Sequence, residues 1–156
     1  MDRKENHLHS SKGNQFKWME GNIWYKIDGL GYESLAEIMV SRLLEKSNVE
    51  KVVIYDYIQY ERNQIMENGC VSKHFLQENE ELITVERLVL QTTGQSMATL
   101  LVGKSVKEKI RLLVDMVEDV TGITDFGAYI TLLLEIDAFF LNEDRHTHNI
   151  AVIRKK

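Results

Sequence analysis

Apolar and polar positions alternate from Phe16 to Asp28 around Glu20-Gly21-Asn22, which predicts two short strands joined by a tight turn. In the second strand the period of two puts Trp24, Lys26 and Asp28 on one face and Ile23, Tyr25 and Ile27 on the other. The period then lengthens. Leu35, Ile38, Met39, Leu43 and Leu44 fall at helical spacing, with Ser34 as N-cap and Glu37 as its capping-box partner, so a helix is expected to about Lys46. Lys51 to Arg62, Val71 to Phe75 and Leu82 to Leu90 are rich in β-branched and aromatic residues and read as strands. Thr92-Thr93-Gly94 breaks the pattern, and two helices follow at about Ser105–Val120 and Asp125–Leu141, separated by Thr121-Gly122. Asn142 to His148 is a polar loop, and Ile150 to Ile153 a short strand. Residues 1–13 read as a polar leader. No repeat or low-complexity tract interrupts this order, which suits an α+β arrangement of a β-rich part followed by a helical one.

Composition narrows the class. Hydrophobic residues make up 44% and charged residues 28%, as in an ordinary globular protein. A net charge of −5 gives no basic field for nucleic acid or anionic lipid. The longest apolar run, Ile130 to Leu134, is soon broken by Glu135 and Asp137, far short of a membrane span. The charged start Met1-Asp2-Arg3-Lys4-Glu5 carries no secretory signal. Cys70, the single cysteine, excludes an internal disulfide framework and fits a reducing cytosol, so a cytoplasmic location is expected.

The chemistry lies in Asn142-Glu143-Asp144-Arg145-His146-Thr147-His148-Asn149-Ile150, a polar loop between an apolar helix and an apolar strand. Phosphoryl transfer needs a carboxylate to orient the attacking hydroxyl and an oxygen ligand for magnesium. Asp144 and Asn149, five residues apart, could supply both. The plainer alternative is a helix-to-strand turn capped by Asp and Asn.

Asp144-Arg145-His146, followed by Asn149-Ile150, resembles the catalytic loop of the HipA-type serine/threonine kinases and the related CtkA-like kinases, and is also similar to that of the phosphatidylinositol 3-kinase superfamily. The resemblance implies a protein-kinase-like fold, with a small β-rich lobe (residues 14–92) followed by the first part of a helical lobe (residues 93–156). It implies ATP and Mg2+ as cofactors and a protein serine or threonine hydroxyl as acceptor. Asp144 would orient or deprotonate that hydroxyl, Asn149 would bind the metal, and His146 would shape the loop; in the lipid kinases the matching histidine is sometimes given the base role. Lys26 would hold the α- and β-phosphates, with Glu37 fixing its ammonium and Glu33 as the competing partner. Ile83-Thr84-Val85-Glu86-Arg87-Leu88 resembles the hinge stretch of the family, which makes the Glu86 and Leu88 backbones the expected adenine contacts. An antitoxin-like or complementing subunit is implied as partner.

Two patterns mislead. Asp125-Phe126-Gly127 spells the metal-binding tripeptide of protein kinases but precedes the catalytic loop, so it reads as a helix start with Thr124-Asp125 at the N-cap. His146 and His148, with His7 and His9 in the leader, do not supply zinc spacing. The second metal-binding Asp of such kinases is expected roughly 15–25 residues after the catalytic Asp, beyond Lys156. The expectation is therefore an incomplete or split kinase domain. The alternative is a non-catalytic kinase-like protein, a pseudokinase or toxin–antitoxin component, that binds nucleotide or a partner.

Overall fold

The computed structural model describes residues 15–156. The expected leader, with His7 and His9, lies outside the described residues. The architecture is mixed α+β, and the chain divides between Phe75 and Leu76 into two compact units rather than after residue 92.

In the first unit, β1 (Phe16–Glu20) and β2 (Ile23–Ile27) form the expected hairpin, with Gly21 at φ 59° in its two-residue turn. That left-handed conformation is open to glycine at little cost. β2 pairs next with β4 (Ile65–Lys73), and β4 with β3 (Tyr55–Arg62), giving the antiparallel order β1-β2-β4-β3. The strand expected from Lys51 starts only at Tyr55, and the one expected at Val71–Phe75 begins earlier, at Ile65. Asn63 and Gln64 turn the chain between them at φ 52° and 64°. Both signs match a type I′ turn, but its usual glycine marker is replaced by glutamine.

Gly69 interrupts the β-rich pattern in the sequence, yet it sits inside β4. A Cβ there would lie 2.5 Å from the Lys26 carbonyl oxygen and 2.8 Å from Ile27 Cδ1. The two strands approach this closely only because position 69 has no side chain.

α1 (Glu33–Glu45) packs chiefly on β3 and β4. Its buried residues are Ser34 and Ser41, small enough to bring the helix axis near the sheet, while Leu35, Met39 and Leu43 stay exposed. Ser34 is not the N-cap, since Tyr32 holds that position. Instead the Asp28 carboxylate, at the end of β2, accepts from Ser34 N at 2.8 Å and Ser34 Oγ at 2.5 Å. Glu37 is therefore released from the expected capping box.

In the second unit, β5 (Glu80–Thr84) pairs antiparallel with β6 (Ala151–Lys155). The strand expected over Leu82–Leu90 ends at Thr84 and gives way to α2 (Val85–Thr93). Thr84 Oγ1 caps this helix by accepting from Arg87 N, and Gly94 ends it at φ 72°. Val85, Leu88 and Val89 are its buried residues, a helical spacing that overrides strand propensity. After α3 (Met97–Leu100), α4 (Val106–Thr121) opens on a capping box between Ser105 and Glu108, and α5 (Phe126–Phe140) follows. Phe126 and Ile130 join Ile83, Val85, Val89 and Val117 in the core, so the Asp125-Phe126-Gly127 tripeptide is helix start and core. Asp125 is the N-cap but makes no side-chain cap bond; Glu118 Oε1 accepts from Gly127 N instead, at 3.1 Å. Among the described residues no helix is long and apolar enough to cross a membrane.

Gly69→Ala should lower stability by about 1–3 kcal/mol, the usual cost of forcing atoms into a packed site. A urea midpoint unchanged from the parent protein would contradict the close approach of β2 and β4.

Candidate functional site

In the first unit the site is built around Lys26 on β2. Its ammonium donates to both Glu37 oxygens, at 2.9 and 2.7 Å, and to the Tyr55 hydroxyl at 3.2 Å, and lies 4.6 Å from the centre of the Tyr55 ring. Burial opposes the charge, but Tyr55 and Glu37 outweigh it and hold the Lys26 pKa above the ordinary lysine value. The Cys70 thiol donates to Glu37 Oε2 at 3.6 Å. Burial pushes that thiol up to about 11, so it stays protonated and supports the carboxylate rather than acting as a nucleophile.

Of the two carboxylates weighed as the partner of Lys26, Glu37 makes the contact. Glu33 turns back along the chain and accepts from the backbone N–H groups of Gly29, Leu30, Gly31 and Tyr32 at 2.8–3.2 Å. Partial burial raises its pKa, yet these bonds prevail and leave it below the usual glutamate value.

In the second unit the polar loop is pinned from two sides. On one side, the buried Asp137 of α5 accepts from Arg145 Nε at 2.6 Å, Arg145 Nη2 at 2.8 Å and Asn142 Nδ2 at 2.7 Å. The Arg145 guanidinium, with help from Asn142, holds the Asp137 pKa below the usual aspartate value despite burial. On the other side stands Glu86, whose carboxylate accepts from Thr147 Oγ1 at 2.7 Å and Met97 N at 3.2 Å, while its own N–H donates to the Thr147 carbonyl at 3.0 Å. Val85 N donates to the Ile150 carbonyl at 2.9 Å.

The adenine expectation falls on Glu86 and Leu88, which lie within α2. The first N–H groups of a helix lack partners within it, and in α2 those of Val85, Glu86 and Arg87 are taken by the Ile150 carbonyl, the Thr147 carbonyl and Thr84 Oγ1. Leu88 is buried in the core. Glu86 anchors the loop through Thr147.

Inside the loop, Asn149 Nδ2 donates to the Asp144 carbonyl, and Asn149 Oδ1 accepts from His146 N at 3.0 Å and Arg145 Nη1 at 3.4 Å. His148 N donates to His146 Nδ1 at 3.3 Å, and His146 Nε2 lies 3.6 Å from the Asp144 carboxylate. The His146 ring thus lies beside the Asp144 carboxylate. The Asp144 side chain is 65% exposed, and Glu143 beside it is exposed as well.

Nucleotide phosphates suit the ammonium chemistry of the first unit, although three acceptor atoms already surround the three donors of Lys26. Magnesium needs hard oxygen ligands. Asp144 offers one. Asn149 does not in this arrangement, because its amide oxygen already faces a backbone N–H and a guanidinium, and it serves to close the loop. Tyr55, Cys70, Asp137 and Thr147 were not singled out from the sequence; the one available sign was Asp137 as a carboxylate interrupting an apolar helix. No family model matches the chain, and no curated protein or solved structure shows significant similarity to it.

Asp137→Asn should destabilise the protein by about 3 kcal/mol at neutral pH, the scale for breaking a buried pair. A carboxyl whose pKa is depressed by folding contributes stability above the unfolded value near 3.9, lost as pH falls through the lower native value. The gap between parent and variant in urea titrations should therefore narrow in acid. A gap independent of pH would contradict the pairing.

Proposed function

We propose that the chain is an ATP-dependent phosphotransferase domain of the HipA- or CtkA-like protein serine/threonine kinase type. The observation that carries this reading is the two-oxygen pairing of Lys26, on a strand, with Glu37 on the following helix. Kinases require a lysine so paired to hold the nucleotide phosphates. The exposed Asp144 carboxylate on a firmly pinned loop supports it. In this reading Lys26 binds the α- and β-phosphates. Asp144 orients the acceptor hydroxyl of a protein serine or threonine and takes its proton as the oxygen bonds to the γ-phosphorus. The bond from that phosphorus to the bridging oxygen breaks, and ADP leaves. A cytoplasmic location and an antitoxin-like or complementing subunit belong to the same reading, as does ATP arriving as its magnesium complex.

The placement of Asn149 favours a second reading, nucleotide or partner binding without transfer, because the amide oxygen expected to hold a metal is engaged inside the loop.

Thermal denaturation with and without ATP and magnesium tests the binding step. ATP at 100 times its dissociation constant should add about 2.7 kcal/mol, and Lys26→Met should remove most of that gain. Absence of any stabilisation would contradict the first reading and the nucleotide-binding form of the second. Radiolabel transfer to a protein acceptor separates them. It should vanish in Asp144→Asn while the fold persists, and transfer that survives the substitution would remove Asp144 from its role.

A further inference from the structure

Lys17 lies directly opposite Lys26 in the β1–β2 ladder. Opposed residues point to the same face with Cβ atoms about 5 Å apart, and like charges so placed weaken the pairing. Glu37 and Tyr55 surround Lys26, whereas among the described residues Lys17 makes no ion pair. Lys17 is also half-buried. Burial lowers its pKa, the charge of Lys26 lowers it further, and Glu37 offsets only part. Because α1 packs chiefly on β3 and β4, these two lysines project from the hairpin half of the face that the helix covers.

Two apposed cations that share one carboxylate carry a net positive charge that an anion would neutralise. We infer that Lys17 and Lys26 form a paired-ammonium site for a polyphosphate, in which Lys17 supplies the N–H donors that Lys26 already commits to Glu37 and Tyr55. The inference rests on the ATP reading and extends it to a second phosphate-contacting lysine. The competing use of Lys17 is as a charge on the edge strand β1 that deters pairing with another chain. That use requires no ligand.

The test compares the full chain with Lys17→Met, which keeps the apolar stem, and Lys17→Arg, which keeps the charge. Calorimetric titration with inorganic tripolyphosphate and with ATP is run at fixed ionic strength, alongside thermal denaturation without ligand. Lys17→Met should weaken both ligands by about tenfold or more, the loss of one charge-assisted hydrogen bond. The same substitution should raise the ligand-free melting temperature by relieving the apposed charges, and Lys17→Arg should bind close to the parent. Equal tripolyphosphate binding by parent and Lys17→Met would overturn the role of Lys17 and leave the kinase reading standing. So would Lys17→Arg binding no better than Lys17→Met, or a lower ligand-free melting temperature for Lys17→Met. A parent chain that binds neither ATP nor tripolyphosphate would overturn both.

Discussion

The ion pair between Lys26 and Glu37 is the constraint on which the first unit depends. A half-buried ammonium is stable only if its partner is held in place, so α1 must lie close to the sheet and present Glu37 at one height. Ser34 and Ser41 provide the closeness, since larger residues on that face would lift the helix. Asp28 caps the first turn from the end of β2 and leaves Glu37 available. Gly69 lets β4 approach the Lys26 backbone, and the neighbouring Cys70 bears on the same carboxylate. Sheet, helix start and ion pair form one arrangement, in which each part limits the others.

The second unit solves a different problem. An irregular loop carrying an exposed carboxylate must be ordered without regular backbone pairing. Asp137 does this from α5 through Arg145 and Asn142, and Glu86 does it from α2 through Thr147. The orphan N–H groups of Val85 and Glu86 at the start of α2 find their acceptors in the Ile150 and Thr147 carbonyls, so the helix end and the loop complete each other. Asp144 and Glu143 are left as exposed carboxylates of a loop in which Arg145, Thr147 and Asn149 are engaged.

The hairpin at β1–β2, the helix containing Glu37 and the long helices α4 and α5 were legible because their periods run without interruption. The failures have local causes. Asn63-Gln64 makes a left-handed turn without the expected glycine, and Gly69 resembles a break although it is a point of close contact. Leu82 to Leu90 contains enough β-branched residues to read as one strand, but burial of Val85, Leu88 and Val89 at helical spacing decides the second half. The same change of element moves Glu86 from an expected hinge to an anchor. The pairing of Lys26 with Glu37 was readable as strand followed by helix. Tyr55 was not, because nothing in the local pattern at residue 55 signals what a strand two elements away will bring beside it.

The central claim is that the Lys26 ammonium receives the phosphates of ATP. Side-chain NMR of the chain labelled with 13C at lysine Cε reports it directly during titration with a non-hydrolysable ATP analogue. The account predicts that the Lys26 signal, assigned through Lys26→Arg, shifts in a saturable way that tripolyphosphate reproduces. A Lys26 signal that stays fixed while the analogue saturates the protein, or while no binding occurs, would contradict it.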